Sequence, residues 1–242
     1  LKTFENSGRI RALTKENTSK EKPHIFWESD LAKLMEGAFF SMQQEKDEDL
    51  FKICDSIIDK IIANQEQNGY LNYFFTFHEP DNKFTNLRDR HELYCAGHLL
   101  ESSIEHHKAT GDSKFIDAME KYVDHIISKF GKEDGKMKGY PGHQEIELAL
   151  IKAYEHTNKK KFLDLATYFI DERGTNNVNT PLTFSDSPLL TPLHHHWMIP
   201  GKLFSGAQKT RFVDDSGRDP GLSQTCLIHE LHLKEARMTT GL

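Results

Sequence analysis

The fold is decided by a stretch that the chain repeats. Residues 98–124 have the sequence HLLESSIEHHKATGDSKFIDAMEKYVD, and residues 145–171, at a constant offset of 47 positions, have the sequence EIELALIKAYEHTNKKKFLDLATYFID. Six pairs of positions are identical, among them Thr110 and Thr157, Phe115 and Phe162, and Asp117 and Asp164. Each stretch places a short polar turn between two helical patterns, so each predicts an αα-hairpin.

A third copy precedes these two hairpins. Residues 47–61 align with residues 112–126 at an offset of 65 positions, and residues 28–42 supply the helix before them. The sequence therefore predicts three hairpins over residues 27–173 and an all-α fold.

The two helices of a hairpin differ in their pattern. Residues 113–130 have apolar side chains at three-and-four spacing and charges between them, which is typical of an outer helix with one wet side. Residues 148–151 are apolar in every direction, which indicates an inner helix. The alternation predicts part of an α/α toroid, with the glycine-bearing connections 68–72 and 139–142 on one rim. A solenoid of stacked hairpins is the alternative, in which those glycines serve only the turns.

The end of the chain has a different composition. Five of the eight prolines fall after residue 174, and the hairpin pattern does not continue. We therefore divide the chain into residues 1–174, a partial α/α-barrel domain, and residues 175–242, a mostly irregular tail with a short helix near residues 224–236.

Composition narrows the class of protein. The 242 residues are 37% hydrophobic and carry 31 basic against 37 acidic side chains, a net charge of -6. Without a basic run that carries aromatic residues, neither nucleic acid nor a membrane surface is expected as a partner. Three scattered cysteines fit a reducing compartment such as the cytoplasm. Because the chain begins at Leu1, an earlier targeting segment is left open, as is assembly into a homo-oligomer.

Candidate site residues lie in two segments at helix starts. His91 follows Asp89, whose spacing to Glu92 predicts a capping pair and a helix that begins near Arg90. His143 lies 52 positions after His91 and follows a proline and a glycine, which also predict a helix start. Both histidines are thus expected in first turns, where they could bind a ligand. Alternatively, each ring donates a hydrogen bond to a loop carbonyl and only holds the turn.

The helix after His91 has two faces. One face is expected to pack against other helices, and the other is expected to line a cavity. Of the residues on the cavity face, His98 is the one for which a structural role is expected. The packing face comprises Leu93, Ala96, Leu100 and Ile104, and the cavity face comprises His91, Tyr94, Cys95 and His98.

Carboxylates and possible metal ligands give a weaker signal. Glu145 and Glu147 lie in the first turns of an inner helix, where the helix dipole alone favours acidic side chains. In the tail, Cys226, His229 and His232, together with residues 194–196, lack the paired spacing of zinc sites. We therefore assign no metal ligand. Nucleotide-binding and serine-hydrolase motifs are also absent from the sequence.

Five motifs, taken in order, resemble the β-L-arabinofuranosidases of glycoside hydrolase family 127. The resemblance covers residues 26–174. The motifs are Gly69-Tyr70-Leu71-Asn72, Thr85-Asn86-Leu87-Arg88-Asp89, His91-Glu92-Leu93-Tyr94-Cys95-Ala96-Gly97-His98, Gly139-Tyr140-Pro141-Gly142-His143 and Tyr168-Phe169-Ile170-Asp171-Glu172-Arg173-Gly174.

The resemblance implies a fold, a reaction and a role for the two histidines. The family has an (α/α)6 catalytic barrel followed by β-sandwich domains, and it removes terminal β-L-arabinofuranose from glycans with retention. By this resemblance, His91 and His143 line the sugar pocket and hydrogen-bond sugar hydroxyls. The expected substrate is therefore a carbohydrate. A helical-repeat module that binds sugar or protein without catalysis is the alternative function.

The resemblance also implies that the bond-breaking groups lie elsewhere. The family uses a cysteine nucleophile on a zinc ion, held by further cysteines and a glutamate, with another glutamate as acid/base. Cys95 matches a helix motif but not that nucleophile, and nothing around Cys226 resembles the zinc segment. We therefore expect an incomplete or truncated catalytic domain, with its catalytic residues unassigned and no zinc in this chain.

Overall fold

The computed structural model describes residues 23–173, and within them the chain forms seven α-helices and no β-strand. The predicted all-α class is therefore confirmed for this part of the chain. The helices are α1 (Trp27–Gln44), α2 (Glu48–Ile62), α3 (Tyr73–His78), α4 (Glu92–Thr110), α5 (Lys114–Lys129), α6 (Glu145–Thr157) and α7 (Lys160–Glu172), with a 3-10 turn at Pro80–Asn82.

The helices pair as the repeat predicts. The three hairpins are α1 with α2, α4 with α5 and α6 with α7, and α4 packs between α1 and α6. Helices α1, α4 and α6 are thus the inner row, and α2, α5 and α7 are the outer row. No helix among residues 23–173 has the length and apolar character needed to cross a bilayer.

The corresponding turns of two hairpins share a backbone conformation. Gly111, with φ 76°, is the C-cap residue of α4, and Asn158, with φ 57°, is the C-cap residue of α6. Both residues are left-handed, a conformation that glycine and asparagine tolerate best and that commonly ends a helix. A threonine before each turn donates its hydroxyl hydrogen to the carbonyl oxygen four residues earlier. Thr110 donates to His106, and Thr157 donates to Ala153. The repeated sequence therefore produces the same type of helix C-terminus in both hairpins.

Two glycines bring α4 and α6 close together at one end. A side chain at Gly97 would lie 2.8 Å from Cγ of Glu145 and 3.0 Å from the backbone nitrogen of Ile146. One at Gly142 would lie 2.2 Å from the carbonyl oxygen of Arg88. The amide of Gly142 also donates to the carbonyl of Leu87 at 3.1 Å. The start of α6 and the loop before it therefore rest directly on α4 and its preceding loop.

Buried carboxyls mark the first turns of the inner helices. Glu28 of α1, Glu92 of α4 and Glu147 of α6 are 6%, 3% and 1% exposed. The carboxyl of Glu28 accepts the amide of Tyr73 at 2.8 Å, while its second oxygen has no hydrogen-bond partner among the described residues. Burial raises the pKa of Glu28 to about 8 and that of Glu92 to about 7.

We predict that Gly97→Ala destabilises the protein. Alanine improves helix propensity by about 1 kcal/mol, but its methyl group meets the α6 backbone, and such overpacking costs about 1 to 3 kcal/mol. A net loss of about 1 kcal/mol in the free energy of unfolding should appear in urea titrations. The control is Gly37→Ala in α1, where a new methyl group meets nothing within 4 Å. That variant should gain about 0.5 to 1 kcal/mol. Equal effects in both variants would contradict the close contact.

We also predict that Glu28→Gln changes the pH dependence of stability. The folded-state pKa of Glu28 lies above the unfolded value, so the folded chain holds this proton more firmly. The resulting stabilisation is complete below pH 4.5 and is lost as pH rises towards 8. Glutamine does not titrate, so its stability relative to wild type should rise by about 2 to 4 kcal/mol between pH 5 and 8. The measurement is urea unfolding across that range. Asp49→Asn, at a largely exposed carboxyl, should parallel wild type, and a parallel Glu28→Gln curve would refute the prediction.

Candidate functional site

The loops before α4 and α6 meet at one end of the inner row. The Tyr70 hydroxyl donates to Glu92 at 2.6 Å, which ties the first glycine-bearing connection to the start of α4. The amide-to-carbonyl bond from Gly142 to Leu87 ties the second connection to the same place. The predicted common rim for residues 68–72 and 139–142 is therefore confirmed.

Three side chains form a cluster on this rim. The ring centroids of His91 and His143 lie 5.1 Å apart, and the Tyr94 ring lies 5.7 Å from His91 and 5.1 Å from His143. We call His91, Tyr94 and His143 the rim cluster. Two histidines that are 52 positions apart in sequence are thus neighbours in space, although neither lies within a first turn. His91 immediately precedes α4, and His143 lies two residues before α6.

His91 occupies a strained backbone position. It is the N-cap residue of α4 with φ 60° and ψ 18°, a left-handed conformation that costs an ordinary residue about 1 to 2 kcal/mol. Its ring nitrogen Nδ1 lies 2.6 Å from the carbonyl oxygen of Asp89, so Nδ1–H donates to that carbonyl. The turn-holding role considered from the sequence is therefore present. In the neutral ring, the same bond leaves Nε2 as a hydrogen-bond acceptor.

The predicted capping pair is wrong. Glu92 does not reach back along the helix, because its carboxylate accepts the Tyr70 hydroxyl and the amide of Phe84, at 2.6 Å each. Asp89 instead belongs to a turn in which its amide donates to the Asn86 side chain at 3.0 Å. Helix α4 consequently begins at Glu92 rather than near Arg90.

A hydrogen bond from Lys33 determines which part of the Tyr94 hydroxyl group is free. Lys33 of α1 donates to the Tyr94 hydroxyl oxygen at 2.6 Å, so the tyrosine proton remains available to a ligand. Lys33 is not among the residues predicted for the site, although a lysine within the apolar run Leu31-Ala32-Lys33-Leu34-Met35 indicates that one side of α1 is polar.

Cys95 does not belong with Tyr94 on a cavity-lining face. Its side chain is 1% exposed, and its thiol lies 3.8 Å from the carbonyl oxygen of Ile25, just before α1. The packing of α1 against α4 covers that direction. The predicted packing face is confirmed, since Leu93, Ala96, Leu100 and Ile104 are all buried.

An arginine at the end of α7 holds the loop that carries His143. Arg173 donates to the carbonyl of Pro141 at 3.1 Å, pairs with the buried carboxylate of Glu147, and lies 5.1 Å from the centre of the Tyr140 ring. The helix dipole alone therefore does not account for Glu147. Partial burial, then the nearby His91 and Arg173, lower the pKa of His143 and keep its ring neutral near pH 7.

Below the rim cluster, a second group joins α4 to α6. His98 Nδ1 lies 3.0 Å from a carboxylate oxygen of Glu145 and 3.5 Å from one of Glu101, and Lys152 pairs with Glu101. Burial, followed by the neighbouring Glu101 carboxylate, raises the pKa of Glu145. The Tyr94 ring contacts that of His98 edge-on at 4.5 Å. His98 thus links the rim cluster to a charged network inside the helix row, which fits its expected structural role.

The described residues do not fit a zinc-bound cysteine nucleophile. Cys54 and Cys95 are both buried and unpaired in disulfides, and burial raises the pKa of Cys54 to about 11 and that of Cys95 well above its usual value. Among residues 23–173, the groups that could hold a metal contain histidines and carboxylates without a cysteine. No catalytic step is therefore derived through zinc. Cys226, His229, His232, residues 194–196 and the helix near residues 224–236 lie outside the described residues.

Comparisons with known proteins identify the family. The family model described as the β-L-arabinofuranosidase GH127 catalytic domain matches residues 2–216, a range that includes all five motifs. A non-reducing end β-L-arabinofuranosidase of Bifidobacterium longum subsp. longum is 35% identical over 154 residues. That match covers 62% of this chain and 23% of the relative.

Solved structures agree with this match. A GH127 β-L-arabinofuranosidase from Geobacillus stearothermophilus T6 is 41% identical, with a TM-score of 0.68 over 71% of this chain and 27% of that enzyme. A second GH127 β-arabinofuranosidase is 34% identical, with a TM-score of 0.66 over 72% of this chain and 29% of the other. The described helices correspond to part of an α/α barrel, and the chain spans about a quarter of these relatives. The chain therefore belongs to glycoside hydrolase family 127, the family described by the β-L-arabinofuranosidase catalytic domain.

Proposed function

We propose that the rim cluster binds a terminal β-L-arabinofuranosyl residue of a glycan, and that this chain supplies one wall of the sugar site of an arabinofuranosidase. The observation that carries the proposal is the contact between His91, Tyr94 and His143 at the starts of α4 and α6. Membership of family 127 supplies the class of sugar.

The chemistry of the cluster suits a sugar. His91 offers Nε2 as an acceptor, because its Nδ1–H is used by Asp89, and Tyr94 offers its hydroxyl proton, because Lys33 occupies the oxygen. A neutral His143 ring adds one donor and one acceptor. Sugar hydroxyls are both donors and acceptors, and they match such a mixed set better than they would match a cluster of one charge.

Within residues 23–173, we propose binding and orientation as the role of the cluster. Neither described thiol suits nucleophilic attack, since each is buried and has a raised pKa. Hydrolysis with retention is proposed for the complete catalytic domain, an (α/α)6 toroid of which the three hairpins form part. The histidines then act by holding the furanose ring in position for groups outside the described residues.

Titration with methyl β-L-arabinofuranoside tests the binding role. In the full chain, ring signals of His91 and His143 should shift together in NMR spectra and yield a single dissociation constant. His91→Ala and His143→Ala should each weaken binding at least about ten-fold, because each removes a hydrogen bond to the ligand.

His156→Ala is the control for this titration. His156 lies 13 positions beyond His143, near the far end of α6, where it contacts His107. At ~1.5 Å per helical residue, the two histidines are about 20 Å apart. The control should bind as wild type does. If both rim variants keep wild-type affinity while remaining folded, the assignment of the cluster is wrong.

A further inference from the structure

His106 is a fully buried histidine without a hydrogen-bond partner. It lies in α4, it is 0% exposed, and neither of its ring nitrogens has a partner among the described residues. The rings of Phe39 and Phe115 flank it at 5.2 and 6.2 Å. Buried polar groups without partners cost stability and are rare in folded proteins. A ligand bound to this ring would remove that cost.

Two carboxylates face this ring from other elements. Asp55 comes from α2, and Asp112 comes from the turn between α4 and α5. One oxygen of each and one nitrogen of His106 all lie within 4.8 Å of one another. Asp112 is exposed, so the group is reachable from solvent although His106 is not. A buried imidazole and two carboxylates from three separate segments thus converge on one point.

We propose that His106, Asp55 and Asp112 bind a divalent transition-metal ion, with Zn²⁺ as the representative. Zinc binds imidazole nitrogen and carboxylate oxygen at about 2.0 to 2.2 Å in a tetrahedral arrangement, so two of its ligand atoms lie about 3.4 Å apart. The three atoms, which lie within 4.8 Å of one another, reach that separation when the side chains rotate towards a shared ion. Water completes the coordination on the exposed side.

The ligand set favours this class of ion over others. Calcium and magnesium prefer oxygen ligands alone, whereas imidazole favours zinc and its neighbours. The neutral imidazole ring carries a lone pair that can bind such an ion.

Lys114 is the competing cation at this position. Its ammonium group lies 2.5 Å from Oδ1 of Asp55 and 2.7 Å from Oδ1 of Asp59. Asp55 retains a second carboxylate oxygen, and Asp59 keeps Lys114 in place when Asp55 turns to the metal. Asp55 therefore binds the metal, while Asp59 remains paired with Lys114.

The proposed ion has a structural consequence and is separate from the rim cluster. His106 lies 15 positions beyond His91, about 22 Å along α4. The ion joins α2, α4 and the turn into α5, segments from two neighbouring hairpins. Binding to the folded chain alone stabilises it in proportion to the logarithm of metal concentration.

Calorimetric titration of the metal-free full chain with ZnCl₂ tests the proposal. Asp112→Asn and Asp55→Asn should each weaken zinc binding at least about ten-fold, since each removes a ligand charge. Asp112→Asn keeps the side-chain oxygen that accepts the Lys114 amide at 2.9 Å, so the turn is preserved. In wild type, the ring ¹⁵N signals of His106 should move on addition of zinc.

Asp49→Asn is the matched control, because it removes an equal charge from α2 but lies outside the ligand set and pairs with Lys52 rather than with Lys114. It should bind zinc within about two-fold of wild type, and Lys114→Gln should bind more tightly than wild type. Sites formed by other histidines or cysteines would survive in every variant. The proposal is overturned if His106 signals do not respond, if Asp112→Asn binds as wild type does, or if Asp49→Asn weakens binding as much as Asp112→Asn.

Discussion

The close contact between α4 and α6 at Gly97 is the constraint on which the site depends. The backbone at the start of α6 lies where a side chain at position 97 would be. Since α6 begins against α4 at this point, the residues before each helix are forced together. His143 therefore meets His91 and Tyr94, and Glu145 meets His98 at 3.0 Å. One missing side chain thus determines both the rim cluster and the charged group below it.

Several other interactions hold the rim against local preferences. His91 keeps a left-handed backbone because its ring is anchored to the Asp89 carbonyl and its helix is fixed by packing. Glu28 and Glu92 are buried at a free-energy cost that raises their pKa values, and their hydrogen bonds to Tyr73 and Tyr70 offset part of that cost. Strain and buried carboxyl groups of this kind are typical of sites in which the surrounding structure over-determines the geometry.

Much of the fold was predictable because helical periodicity is a local property. The repeat at 47 positions located the hairpins, and the left-handed ends at Gly111 and Asn158 explain why those turns recur. The packing face of α4 followed from spacing alone, as did the location of both glycine-bearing connections at one rim.

What failed was decided by contacts distant in sequence. Glu92 has the spacing of a capping residue, but Tyr70 and Phe84 take its carboxylate. Cys95 shares a helix face with Tyr94 but is covered by the approach to α1. The role of Arg173 in holding the His143 loop depends on a contact 32 positions away, which no local pattern encodes. Sequence could therefore nominate His91 and His143, while their distance and the partners of Tyr94 required the three-dimensional structure.

The most direct test of this account is a nuclear Overhauser measurement between the ring protons of His91 and His143 in the full chain, with and without methyl β-L-arabinofuranoside. With ring centroids 5.1 Å apart, the account predicts a cross-peak between the two rings in the free protein, and contacts from both rings to the same sugar when it is bound. Two assigned rings in a folded chain that show no cross-peak, or a sugar that contacts neither ring, would contradict it.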